Sequence, residues 1–199
     1  MLGCSQRRLR DGIEQRCGGR AELVLRESGG GAVLTGPWLV GASVVLPPAH
    51  RWVAAGPIDS YRHLGQLQVG ALDEVGVPAR ALPPPDVARA EAASAGVPWA
   101  CFGRLSPWEV VDPQGRKLVG LAQRRCRHGV LLVAGTLVGT ADWALLCDLM
   151  GQPGDESLLR RRTVSCNETA GRRIEPQRFA AVLTRWLDRG LSFDAAEGA

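Results

Sequence analysis

Lysine is nearly absent from this chain. Lys117 is the only one among 24 basic residues, and every other is arginine. Alanine, glycine, proline and arginine abound, which suggests a coding bias that turned exposed lysines into arginines. Most surface positions accept that exchange. A site that needs a compact amine, able to lose its proton or to touch a phosphate at one point, does not. The surviving lysine is therefore a candidate functional residue on composition alone. Long apolar runs are missing too: none approaches the roughly 20 residues of a membrane span. The opening MLGCSQRRLRDG holds no apolar leader core, so neither a membrane association nor a signal peptide is expected. The cysteines Cys4, Cys17, Cys101, Cys126, Cys147 and Cys166 are scattered without a CxxC pair. A metal site is not expected, and reduced thiols in a cytoplasm are the simpler reading. No basic run is interleaved with aromatics, so nucleic acid is not an expected partner. No internal repeat is visible.

What is present reads as one α+β domain over residues 1–199. Apolar residues at 45% and charged residues at 22% are ordinary for a globular protein. The net charge of +4 is mild, with local clusters at Arg124–Arg127 and Arg160–Arg162. Such clusters are usually solvated surface, but they can also steer an acidic protein partner. Ala21–Leu25 and Gly41–Leu46 read as short strands. Ser60 reads as the cap of a helix with Tyr61, Leu64, Ala71, Leu72 and Val75 at helical spacing, ended by Gly76. Pro78–Pro98 reads as a proline-rich surface excursion with a short helix over Pro85–Ala93. Pro107–Val111, a longer strand carrying Lys117, and Val130–Val138 form an antiparallel meander. Asp142–Met150 is a helix, and a last helix starts at Pro176 with Phe179, Val182, Leu183, Trp186 and Leu187 in one stripe. The architecture is a mostly antiparallel sheet with helices packed on it.

Two stretches carry chemistry. Asp112-Pro113-Gln114-Gly115 has the residue order of a type I turn. In the strand after it, alternation places Lys117 on one face with Val119 and Leu121. An amine there is costly unless paired or in use, so Lys117 is either a working residue or a lysine that snorkels to water. Arg26-Glu-Ser-Gly-Gly-Gly-Ala-Val33 sets three glycines in a row. Such a loop lets backbone amides approach a phosphate or carboxylate, though a flexible hairpin loop is equally consistent. No Gly-Lys-Ser/Thr follows and the pattern is not GxGxxG, so neither a P-loop nor a dinucleotide site is indicated.

Taken together, Arg26-x-Ser-Gly-Gly-Gly-Ala-Val33, Gly115-Arg-Lys-Leu-Val-Gly-x-Ala-Gln123 and Gly135-Thr-Leu137 resemble the biotin/lipoate protein ligase catalytic domain. The nearest branch is lipoate–protein ligase A and the octanoyltransferases. Leu2-Gly-x-Ser-Gln6 is similar to the strand before the glycine loop in that family. The resemblance implies an enzyme that attaches a lipoyl or octanoyl group to a lysine of an acidic lipoyl carrier domain or glycine-cleavage carrier protein. It implies that Arg26, Ser28, Gly29, Gly30, Gly31, Ala32, Val33 and Leu34 bind the activated acyl group, with Gly120, Ala122, Gly135 and Thr136. It also implies that Lys117 contacts the acyl carbonyl and phosphate. The family domain usually begins with a further helix and edge strand, so this chain is expected to be short at its N-terminus.

Ala100-Cys-Phe-Gly-Arg-Leu-Ser-Pro-Trp-Glu109 resembles the CFxxPSxxE loop of the cysteine-dependent octanoyltransferases. That implies a thioester on Cys101, loaded from an acyl carrier protein without ATP. By residue type alone, a small buried hydrophobe is the commoner role for a cysteine; the motif match brings the two readings of Cys101 level. The other five cysteines read as packing or surface residues. No tightly bound cofactor is implied; ATP and Mg are needed only if the chain is a ligase working through a lipoyl-adenylate. A third possibility is an inactive homologue that binds acyl groups or a carrier. Two departures from the pattern stand out. Ala134 replaces the family's histidine before Gly135-Thr136, and no accessory domain follows the helix at Arg178–Asp188, which favours the transferase.

Overall fold

The computed structural model describes residues 1–196. A 3₁₀ turn over Cys4–Leu9 runs into α1, Arg10–Cys17, which stops at Gly18 in the left-handed conformation. The helix is masked in the sequence, because polar and basic residues surround its two buried positions, Ile13 and Cys17. The expected strand Ala21–Leu25 is reduced to a single parallel bridge, Leu2 to Leu25. Then come β1, Leu39–Leu46; α2, Arg51–Ala54; α3, Pro57–Glu74; β2, Arg80–Ala81; and α4, Pro84–Ala93. The meander is β3, Val110–Val111; β4, Lys117–Cys126; and β5, Gly129–Leu137. The chain closes with α5, Trp143–Met150; α6, Glu156–Arg162; α7, Cys166–Ala170; and α8, Pro176–Ala196.

The five strands order as β1-β5-β4-β3-β2, with every neighbouring pair antiparallel. The predicted turn is present: Gly115 N donates to Asp112 O at 3.0 Å, and Asp112 also accepts from the Arg116 amide. Strand β3 is shorter than predicted because Trp108 takes a left-handed φ of 65° that breaks extension before Val110.

Helices α3 and α8 cover one face of the sheet. Their apolar stripes, including Leu64, Ala71, Leu72, Phe179, Val182 and Leu183, bury against Val40, Leu118, Val119, Leu121, Leu132 and Ala134. Removing a fully buried ring such as Phe179 would cost about 3–5 kcal/mol. Helix α3 begins at Pro57, a residue pre-set for the first helical position, rather than at Ser60. The Ser60 hydroxyl instead donates back to Gly56 O at 2.8 Å inside the first turn. A second cluster lies over the other face. It joins Leu2, Val33, Ala100, Phe102 and Leu137 to α1 and α5. The candidate site lies on this face.

Candidate active site

The floor of the site is written in β1, β5 and β4. Gly41 pairs with Gly135, and Gly135 pairs with Gly120, so three glycines stand in a row across three strands. Alternation puts their neighbours Ala134, Thr136, Val119 and Leu121 on the opposite, helix-covered face. With no side chains on the row, a slot of about 90 Å³ opens directly onto backbone. Leu39, Ala122, Val133 and Val33 wall it, and Cys101, Phe102 and Arg26 stand at its rim.

The cysteine loop is fixed from two sides. The Cys101 amide donates to Ala32 O at 2.8 Å, and Ala32 N donates to Trp99 O at 2.7 Å, so the end of the glycine loop runs parallel to the cysteine loop. On the other side, Lys117 Nζ donates to the Cys101 carbonyl at 2.7 Å and to the Arg104 carbonyl at 2.8 Å. Its third partner is Glu109, at 2.6 Å from Oε2. The ammonium also lies 5.4 Å from the centre of the Phe102 ring. Lys117 is thus buried and saturated; it does not snorkel to water.

The face that Lys117 occupies differs from the simple alternation. Val110 pairs with Val119 and Val111 with Lys117, so β4 carries one residue more than β3 at this point. Such a bulge re-aims a side chain. A Cβ placed on Gly120 would meet Lys117 Cε at 3.5 Å, Phe102 Cζ at 3.6 Å and Cys101 Sγ at 3.7 Å. Thiol and lysine therefore converge over Gly120, at the end of the glycine-floored slot.

The glycine loop is braced by its own arginine. Arg26 donates to Ser28 Oγ at 3.0 Å, to Gly31 O at 2.7 Å and to Gly29 O. Glycine permits close backbone approach on both sides of the loop: a Cβ on Gly31 would lie 2.4 Å from Trp99 O, and one on Gly3 of the N-terminal segment 1.9 Å from Gly30 O. Gly30 and Gly31 line a separate recess with Gln6 and Trp99. Of the sequence-derived positions, Arg26, Val33, Cys101, Gly120, Ala122 and Gly135 meet at the slot, with Lys117 behind the thiol. Ala32 supports the loop, Ser28 holds Arg26, and Leu34 packs in the second cluster. Thr136 is on the far face, where its hydroxyl donates to Gln68 at 3.1 Å. Ala134 belongs to the helix-covered core with Leu132.

Beyond Phe102 lies a second recess, lined by Arg104, Arg116, Lys117, Arg161 and Arg162. Four of these cations are already paired, to Glu91, Asp112 and Glu109. The Arg124–Arg127 cluster is likewise partly engaged: Arg124 pairs with Glu27, and Arg125 donates to Val53 O and Ser60 Oγ. Two positions of the candidate site are not among the sequence-derived ones. The row partner Gly41 has no signal in sequence, because strand register aligns it. Glu109 did carry one: an acid next to Val110 and Val111, within the quoted loop and eight residues before the only lysine. Among the described residues, no three His, Cys, Asp or Glu gather to hold a metal ion. No described helix is long and apolar enough to cross a membrane.

Burial separates the thiols. It pushes Cys147 up to about 11 and Cys166 up to about 12, so at neutral pH both are overwhelmingly protonated and poor nucleophiles. Cys101 is half-exposed at the slot. Iodoacetamide at pH 8 is expected to label Cys101 together with the exposed Cys4 and Cys126. Peptide mapping that found Cys147 or Cys166 labelled first in folded protein would contradict this ordering.

The fold, an antiparallel sheet with helices packed on one face, is shared with solved lipoate and biotin ligase structures. A structure of lipoate–protein ligase A bound with ATP superposes with a TM-score of 0.66 at 20% identity, over 96% of this chain and 68% of that one. A bipartite lipoate protein ligase from Thermoplasma acidophilum, solved with its E2 lipoyl domain, gives 0.63 at 18% identity over 92% of this chain and 61% of that one. Biotin protein ligase from Aquifex aeolicus gives 0.51 at 14% identity, over 78% and 53%. The chain belongs to the lipoyl protein ligase A/B catalytic domain family, whose model matches residues 2–188. Among curated relatives, it is 33% identical over 175 residues to the octanoyltransferase LipM of Kyrpidia tusciae, covering 85% of this chain and 62% of the relative. It is 35% identical over 125 residues to LipM of Symbiobacterium thermophilum, covering 60% and 44%. The chain thus spans less than two thirds of the length of these relatives.

Proposed function

We propose that the protein is an acyltransferase of protein lipoylation that moves an octanoyl group to a carrier-domain lysine through a thioester on Cys101. The observation that carries this reading is the convergence of Cys101 Sγ and Lys117 over Gly120, at the end of an apolar slot floored by backbone. The octanoyl chain lies on the glycine row with its carbonyl toward the thiol. Cys101 Sγ attacks the carbonyl carbon of the incoming thioester; the new C–S bond forms and the bond to the donor thiol breaks. The departing thiolate takes up the proton that Cys101 gave. The amine of the acceptor lysine then attacks the Cys101 thioester, an amide forms, and the Cys101 thiol leaves with the proton lost by the amine. No ATP is consumed, because a thioester is already activated. A nearby ammonium stabilises charge developing on the carbonyl oxygen.

The donor is an acyl carrier protein thioester, and the acceptor is an acidic lipoyl domain or glycine-cleavage carrier, in a cytoplasm. The second reading is a ligase that uses ATP and Mg to make a lipoyl-adenylate. The likeness of the fold to an ATP-bound relative favours it. The arginine that would hold an adenylate phosphate is instead spent on carbonyls of its own loop, which favours the transferase. Intact-mass measurement decides. Incubation with octanoyl-loaded carrier protein, without ATP, should add one octanoyl group, mapped to Cys101. An adduct on no cysteine, with transfer appearing only when ATP and free lipoate are supplied, would replace this reading with the ligase.

A further inference from the structure

The chemistry above leaves Glu109 without a part, yet the fold spends much on placing it. Its side chain is 2% exposed, and its two oxygens receive three donors. Oε1 accepts the Leu121 amide of β4 at 2.9 Å. Oε2 accepts the Ser106 amide of the cysteine loop at 2.8 Å and pairs with Lys117 at 2.6 Å. One carboxylate therefore ties together the loop, the sheet and the lysine. Burial pushes its carboxyl above the usual carboxylate range, while the Lys117 charge and the two amides pull it back. Its anionic form thus leans on the lysine charge.

The chain is distorted to bring Glu109 there. Trp108, just before it, is the one non-glycine among the described residues with positive φ. That conformation is costly for a side chain bearing a Cβ, and such outliers gather at working sites. The Trp108 indole N–H is buried without a partner. Gly65 in α3 makes room for the same turn, since a Cβ there would lie 2.2 Å from the Trp108 carbonyl.

Lys117 has three N–H donors, and Cys101 O, Arg104 O and Glu109 occupy all three. None is left for a substrate carbonyl. The bond to Cys101 O is the one at the reacting residue. We propose that Glu109 is the positioning residue of this site. It anchors Lys117 and the Cys101 loop to β4 while the lysine exchanges its bond to the Cys101 carbonyl for one to the carbonyl of the bound acyl thioester. The inference rests on the acyl-transfer reading above.

Glu109→Gln keeps the shape, but whichever way the amide turns, one of its N–H groups faces another donor. In transfer from octanoyl carrier protein, kcat should fall by about 100-fold from the misplaced lysine, with KM changed by less than about threefold. Adding Lys117→Met to Glu109→Gln should cost no more than about threefold further, because groups acting as one unit are not additive. The control is Asp112→Asn, which alters another buried carboxylate of the same hairpin, paired with Arg116. It should lower stability and leave kcat within about threefold. If Glu109→Gln does not fold, Glu109→Asp retracts the charge by one methylene and should show the same loss in kcat alone.

A substrate-free measurement accompanies these. The rate of Cys101 alkylation by iodoacetamide should change more than about threefold in the Glu109 variant and stay unchanged in Asp112→Asn. Losses that multiply in the double variant, a rise in KM at constant kcat, or an unchanged alkylation rate would each overturn the assignment. A wild-type protein that forms no octanoyl adduct would instead refute the acyl-transfer reading, and the alkylation rates would still report on Glu109.

Discussion

Cys101→Ala should abolish octanoyl transfer, and Cys101→Ser should reduce it by on the order of 10³-fold at neutral pH. Neither should disturb the fold. Cys101 is half-exposed, and its loop is held by backbone groups: the amide on Ala32 and the carbonyl on Lys117. The serine keeps those bonds and nearly the same volume. What it lacks is sulfur: a hydroxyl is a far poorer nucleophile without a base, and among the described residues no histidine lines the slot to act as one. Single substitutions of Cys4, Cys17, Cys126, Cys147 and Cys166 should leave transfer largely intact, since none of them lines the slot. The measurement is the octanoylation rate of a lipoyl domain with each variant, read by mass. A Cys101→Ala protein that still modifies the domain with ATP and lipoate would show that the adenylate route operates and that the thiol is a bystander.

The second large effect belongs to Lys117. Lys117→Arg should lower kcat by on the order of 100-fold, because even an ångström of misplacement at a reacting carbonyl is costly. A guanidinium keeps the charge but is planar and larger, and the lysine it replaces is only 2% exposed with three partners fixed. Overpacking of that kind typically costs about 1–3 kcal/mol, or a drop of a few degrees in Tm for a chain of this size. Lys117→Met should be worse for stability. It strands Glu109 as a buried acid without its cation, a loss of about 3–5 kcal/mol. Thermal melts and steady-state rates on the same preparations separate the two consequences. An arginine variant retaining most of its transfer rate would remove Lys117 from the chemistry and leave it a structural tie.

Local signals were legible where a residue's own chemistry sets the backbone. Asp112-Pro113-Gln114-Gly115 spells its turn, and the alternation of β5 and the stripes of α3 and α8 name their buried faces. Likewise, the isolated lysine and the motif around Cys101 stand out in the sequence. What could not be read were features decided by partners far away in sequence. The face of Lys117 depends on one extra residue in β4 relative to a two-residue strand. The glycine row exists only once register aligns residues 41, 135 and 120. The resemblance names Thr136 together with Gly135, but the two-residue period of a strand sends neighbours to opposite faces, and Thr136 bonds Gln68 on the helix-covered one.

That same period divides labour within single strands. Along β4 and β5, the odd-and-even pattern gives one face to the helix-covered core and the other to the slot. A Cβ added at Gly41 would meet nothing within 4 Å, and one at Gly135 would only graze Leu39 at 3.6 Å. On the acyl-transfer reading, either change would shorten the space for an acyl tail while leaving the helix-facing half of the same strand untouched. On that reading, substrate length can diverge between descendants in steps of one methyl group, without drawing on the packing between sheet and helices.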